Sequence, residues 1–275
     1  MKLVAIQTNA GADWSSNKAT LERLLGQLPP ERPLLVQLPE NAVVFGSKGA
    51  ALECAESLGE GPIQAQMAEW ARRLGIWLVV GAMPTRIVSS EKLHSSSLVY
   101  NDKGELVGHY HKLHLFDVEV SDGHGRYHES ATYQAGDGLT VVDSPFGRLG
   151  LSICYDLRFP ELYRALRELG ADILLVPSAF TQVTGQAHWM PLLQARAIEN
   201  QCYVLAAAQA GDHGNGRQTW GHSVILNPWG EVLACIPKGE GLIVADVDLS
   251  RLAAIRRQMP VDQHARMKAV WRENE

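Results

Sequence analysis

The sequence predicts an α/β protein built as a four-layer αββα sandwich, and three observations lead there. Short apolar, β-branched runs alternate with helical patterns through much of the chain. The runs are continuously apolar rather than alternating, which suits strands buried on both faces. Each helical segment carries one apolar stripe, so it must cover a sheet while its other side stays in water. Two sheets packed face to face, with helices on both outer faces, bury all of these surfaces.

Taken in order, strands are expected at "LVAIQT" (3–8), "PLLVQLPE" (33–40), "IWLVVGAM" (76–83), "SSSLVYN" (95–101), "LTVVDS" (139–144) and "RLGLSIC" (148–154). Five more follow at "DILLVPSA" (172–179), "YVLAAAQ" (203–209), "HSVILNP" (222–228), "EVLAC" (231–235) and "LIVADVDL" (242–249). Eleven strands need more than one small sheet. Between them, Leu21, Leu24, Leu25 and Leu28 recur at helical spacing, as do Ile63, Met67, Trp70 and Leu74, then Leu162, Ala165, Leu166 and Leu169, and a run from His188 to Asn200. Gly59-Glu60-Gly61-Pro62 and Asn227-Pro228-Trp229-Gly230 mark turns, and "AGDHGNGRQ" (210–218) reads as a flexible loop that matches no phosphate-binding glycine motif. Trp70, Trp189, Trp220 and Trp229 are expected to pack or to rim a pocket. No repeat or linker divides the chain, so residues 1–275 read as one domain.

Composition narrows the function. The 25 Lys+Arg against 30 Asp+Glu give a net charge of -5, which argues against a nucleic-acid surface. No stretch approaches the length of an apolar membrane span, and "MKLVAIQTNAGADW" lacks a signal-peptide core. Cys54, Cys154, Cys202 and Cys235 lie far apart, without the close pairs of a zinc site or the density of a disulfide scaffold. A cytoplasmic setting is expected.

Three stretches carry candidate chemistry. In "GLSICYDLRFPE" (150–161) an apolar strand stops at Cys154, and Phe159-Pro160-Glu161 starts a helix. A thiol there is usually a small buried hydrophobe, but at a strand's end, before a turn of outward-pointing N–H groups, it can gain a base and an oxyanion site. In "LLVQLPEN" a second strand delivers Glu40 to its end: a solvated loop residue, or a partly buried general base. In "GHYHKLHLFD" Lys112 is either a solvated charge or, if buried near the thiol, a stabiliser of developing negative charge. His109, His111 and His114 in that segment suggest a metal, yet no second cluster at ligand spacing completes a site, and none is expected.

Glu40, Lys112 and Cys154, in that order, resemble the catalytic triad of the nitrilase (carbon–nitrogen hydrolase) superfamily. The segments 176–209 and 221–234 are similar to those of its Nit-type amidases, most of all the deaminated glutathione amidase branch, with the omega-amidases as near neighbours. The resemblance implies a nitrilase-like sandwich that pairs into a homodimer, a small-molecule amide substrate, no cofactor, and hydrolysis through a thioester. It implies roles for Glu40 as base, Lys112 and the Tyr155 N–H as oxyanion donors, and Glu129 as a second glutamate that orients Lys112 or the substrate. Ser121-Asp122-Gly123 departs from relatives that often read Pro-Gly, about one residue longer before Glu129. Two rivals remain: a zinc amidohydrolase on the "HYHKLH" histidines, and an inactive partner protein on the same fold. The pocket rim is expected from residues 117–128 and 180–189.

Overall fold

The computed structural model describes residues 1–121, 125–214, 216–268 and 270–271. Its strands are β1 (Lys2–Gln7), β2 (Leu34–Gln37), β3 (Trp77–Arg86), β4 (Leu93–Tyr100), β5 (Leu106–His111), β6 (Asp117–Val120), β7 (Gly125–His128), β8 (Val141–Ser144), β9 (Gly147–Leu151) and β10 (Ile173–Leu175). They continue with β11 (Tyr203–Ala206), β12 (Ala210–Asp212), β13 (Gln218–Trp220), β14 (Ser223–Leu226), β15 (Val232–Ile236) and β16 (Gly241–Asp246). The helices are α1 (Trp14–Leu25), α2 (Lys48–Cys54), α3 (Pro62–Leu74), α4 (Pro160–Glu168), α5 (Gln182–Asn200), α6 (Leu249–Gln258) and α7 (Val261–His264).

Two six-stranded sheets form, ordered β16-β1-β2-β3-β4-β5 and β15-β14-β11-β10-β9-β8. Each has a parallel centre of three strands, β1-β2-β3 in one and β9-β10-β11 in the other, with antiparallel strands outside. Strand pleating sorts the first sheet's residues. Leu3, Ala5, Leu35 and Val79 face the core shared with the second sheet, while Val4, Ile6, Val36, Leu78 and Val80 pack on Leu21 and Leu24 of α1 and Met67 and Trp70 of α3. Leu162, Tyr163 and Leu166 of α4 and Trp189, Leu193 and Ala197 of α5 cover the second sheet. The expected αββα layering and all eleven expected strands are present.

Buried glutamines clasp the two sheets together. Gln7 Oε1 accepts from the Ser223 amide at 2.9 Å, and Gln37 Oε1 from the Ala207 amide at 3.0 Å. Gln209 Oε1 accepts from the Ala10 amide, and its Nε2 donates to the Glu40 carbonyl, both at 3.0 Å. A buried amide is costly without partners, so these bonds hold the registration between layers, although Gln37 Nε2 finds no partner among the described residues.

Several expectations need correction. Residues 210–218 are not a flexible loop, because β12 and β13 pair as a hairpin; Asn215 lies outside the described residues. His213 pins it, with Nδ1 2.8 Å from the Ala10 carbonyl and Nε2 2.7 Å from Thr219 Oγ1. Within the rim stretch 117–128, β6 and β7 pair antiparallel, and residues 122–124 lie outside the described residues. The His109 segment is an edge strand, β5, and β9 stops at Leu151, three residues short of Cys154. Trp70 and Trp189 are buried as expected, but Trp229 is 54% exposed and does not line the cavity described below. Among the described residues no helix is long and apolar enough to cross a membrane.

Candidate active site

Strand ends converge where open α/β sheets bind ligands, beyond the carboxyl ends of parallel strands. Glu40 follows β2, Cys154 follows β9, and Lys112 is the first residue after β5. Glu40 is brought in by an unusually close crossing: a Cβ on Gly81 would lie 2.2 Å from the Leu38 carbonyl oxygen, so only glycine lets β3 run beside the Leu38-Pro39 approach. Cys154 opens a one-turn 3-10 helix, Cys154–Arg158, with φ at +47°, a conformation few side-chain-bearing residues adopt. The Tyr155 N–H is the second amide of that turn, among the first N–H groups of a helix that lack an intrahelical carbonyl partner.

The side chains meet in a buried cluster. Lys112 Nζ donates to Glu40 Oε1 at 2.8 Å and to both carboxylate oxygens of Glu129 at 2.9 Å. Lys112, Glu40 and Cys154 are 2%, 4% and 8% exposed. Glu129 starts a short 3-10 turn after β7, and the Phe116 amide donates to its Oε2 at 2.6 Å. Cys154 lines the same cavity as Glu40, Lys112 and Glu129.

Electrostatics assign the protons. Burial would lower the Lys112 ammonium, but Glu129 and Glu40 overcome it and raise the group well above the usual lysine value, so it stays charged. Burial, reinforced by the Glu40 charge, pushes Cys154 well above the usual thiol value, with Lys112 opposing. The resting nucleophile is therefore a thiol in the field of the Glu40 carboxylate. Burial also raises Glu129, against the pull of Lys112.

A third carboxylate, Asp156, braces this arrangement. Asp156, wholly buried, accepts from the Ile153 amide at 2.8 Å and Tyr110 Oη at 2.7 Å through Oδ2. Through Oδ1 it meets the His114 amide at 3.1 Å and His114 Nδ1 at 2.7 Å. One side chain, two residues from the thiol, thus ties the Cys154 turn to the segment carrying Lys112.

The cluster opens into a cavity of about 230 Å³. Expected rim residues Arg126, Tyr127, His128, Phe180, Thr181 and Thr184 line it. Unforeseen were the stretch after Glu40 (Asn41 to Lys48, in part), Tyr133, Arg158 and Arg217, of which only the aromatic and charged types offered any sequence signal. His109 and His111 are neighbours, ring centres 5.1 Å apart, but His114 is held elsewhere, engaged by Asp156 and stacked at 3.6 Å on Phe159. Among the described residues no group of three or more His, Cys, Asp or Glu could hold a metal ion.

Comparison with known proteins agrees with this geometry. Residues 5–257 match the Carbon-nitrogen hydrolase family. The deaminated glutathione amidase of Yersinia enterocolitica is 47% identical over 264 residues, 95% of this chain and 91% of that protein. Among solved structures, Saccharomyces cerevisiae Nit3, a member of branch 10 of the nitrilase superfamily, aligns with a TM-score of 0.85 at 30% identity over 97% of each chain. The C. elegans NitFhit protein aligns with a TM-score of 0.88 at 38% identity over 96% of this chain, which spans 65% of that longer one. With a thiol, a carboxylate acceptor and an ammonium gathered at its strand ends and these matches along its length, the chain belongs to the carbon–nitrogen hydrolase family and is an amidase.

Proposed function

We propose that the protein hydrolyses the 2-oxoglutaryl amide bond of deaminated glutathione, releasing 2-oxoglutarate and cysteinylglycine. Glu40 takes the thiol proton as Cys154 Sγ attacks the amide carbonyl, and Lys112 with the Tyr155 N–H stabilises the oxyanion. Collapse breaks the C–N bond as Glu40 returns the proton to the leaving amine, leaving a thioester on Cys154. Glu40 then deprotonates a water that attacks the thioester, and the acid departs as the thiol re-forms. Glu129, bonded through both oxygens to Lys112, orients the ammonium. The chain acts as one domain, without a cofactor, as a cytoplasmic homodimer.

The observation that carries the chemistry is the buried Cys154 sharing a cavity with Glu40, with Lys112 paired to both Glu40 and Glu129. Support for the substrate comes from relatives called deaminated glutathione amidase and from Arg158 and Arg217 in the cavity wall, which suit a substrate with carboxylates. An omega-amidase would present the same oxo-acid to Cys154 and lose ammonia instead of a dipeptide. Comparing kcat/KM for deaminated glutathione, 2-oxoglutaramate and simple aliphatic amides decides the substrate, and mass spectrometry of quenched enzyme should find a 2-oxoglutaryl adduct on Cys154. A preference for 2-oxoglutaramate would move the assignment to omega-amidase; turnover without any Cys154 adduct in a burst experiment would sink the thioester route.

A further inference from the structure

The cavity cations divide into two kinds. Lys112 is consumed by Glu40 and Glu129. Arg158 and Arg217 have no carboxylate partner among the described residues and instead lie against aromatic rings, with Arg158 Nη1 also 3.2 Å from His188 Nδ1. The Arg217 guanidinium carbon is 4.4 Å from the centre of Phe45 and 5.7 Å from that of Tyr127; that of Arg158 is 5.3 Å from Phe180 and 5.9 Å from Tyr155. A guanidinium lying on a ring keeps its edge N–H fork available for a carboxylate.

The two belong to different elements. Arg158 belongs to the same turn as Cys154, where an acyl group joined to the sulfur must lie. Arg217 closes the β12–β13 hairpin, its amide donating to the Gly214 carbonyl at 3.1 Å and its carbonyl accepting from the His213 amide at 2.9 Å. His213 meets Phe45 edge-on at 4.2 Å, so Phe45 is in contact with both His213 and Arg217, and the hairpin is held by the contacts of His213 to Ala10 and Thr219. Deaminated glutathione carries one carboxylate on each side of the bond to be cut, whereas 2-oxoglutaramate has one only on the acyl side.

We infer that Arg217, given the substrate proposed above, is the specificity-determining residue that binds the carboxylate of the leaving dipeptide. The test compares kcat/KM for deaminated glutathione with that for its C-terminal carboxamide, which removes only the distal charge. The wild-type enzyme should favour the free acid by about 10- to 100-fold, the range of one charged hydrogen-bonded contact. In Arg217→Met that ratio should collapse toward one, and Arg217→Lys, a charge without the planar fork, should recover part of it. An unchanged ratio in Arg217→Met overturns the assignment, as does a wild-type enzyme that turns over both dipeptide amides equally; the latter needs no variant to fold. Hydrolysis of 2-oxoglutaramate but of neither dipeptide amide would remove the substrate itself, a different failure, and Arg217's role with it.

Discussion

Replacing Asp156 by asparagine tests whether the brace between the two catalytic segments matters. The amide is nearly isosteric, but each carboxylate oxygen accepts from one backbone N–H, Ile153 on Oδ2 and His114 on Oδ1. Whichever way the amide turns, its NH₂ confronts one of these donors, and a backbone N–H cannot reverse its role as Tyr110 Oη can. One buried donor left unsatisfied costs about 1–3 kcal/mol, and the surviving bonds lose the strengthening of a charged acceptor, about 1 kcal/mol more. Urea unfolding of Asp156→Asn should therefore show a loss of about 2–4 kcal/mol, with kcat falling because the Cys154 turn and Lys112 are no longer locked together. A loss below about 1 kcal/mol with unchanged kcat would refute the brace.

Glu40→Gln keeps the shape but cannot accept the thiol proton, so single-turnover acylation should slow by about 10²–10⁴-fold; wild-type rates would place the base elsewhere. Lys112→Met should cost the transition state about 3 kcal/mol, seen in kcat, and should also lower the unfolding midpoint because Glu40 and Glu129 would face each other unpaired; an effect confined to KM would make Lys112 a binding residue. His111 is lowered to about 4 by burial and by the neighbouring His94 and His109 charges. Because the folded state binds its proton less readily than the unfolded chain, stability should be constant above about pH 6.5 and fall as pH drops toward 4. For a half-exposed ring the loss is about 1–2 kcal/mol after solvent screening, and His111→Gln should flatten that part of the stability profile.

The layering was legible because continuous apolar strands and one-striped helices admit few packings. What stayed hidden was structure whose stability comes from distant residues. Strand β5 buries only Tyr110 among mostly half-exposed neighbours, so it has no apolar run to read. The β12–β13 hairpin is three residues a side and depends on His213 reaching Ala10. At the site, Glu40, Lys112 and Cys154 could be picked out because each stands where an expected strand runs out or in a motif shared with a family, and Glu129 falls beside Lys112 in spite of the altered stretch before it. Arg158 and Arg217 could not, since what distinguishes them is the lack of an acid neighbour, a property of the folded molecule.

The backbone at Cys154 carries one more consequence. Its φ of +47° disfavours any residue with a side chain by about 1–2 kcal/mol, and glycine would relieve it. Cys154→Gly should for that reason unfold at higher urea than Cys154→Ala. Selection acting only on folding would thus drift this codon toward glycine, while selection on turnover forbids it, and β-branched residues are shut out by both. Among substitutions that abolish the activity, glycine is the one the backbone there accepts most readily, which makes a glycine at this position the signature to look for in chains that have kept the sandwich and given up the chemistry.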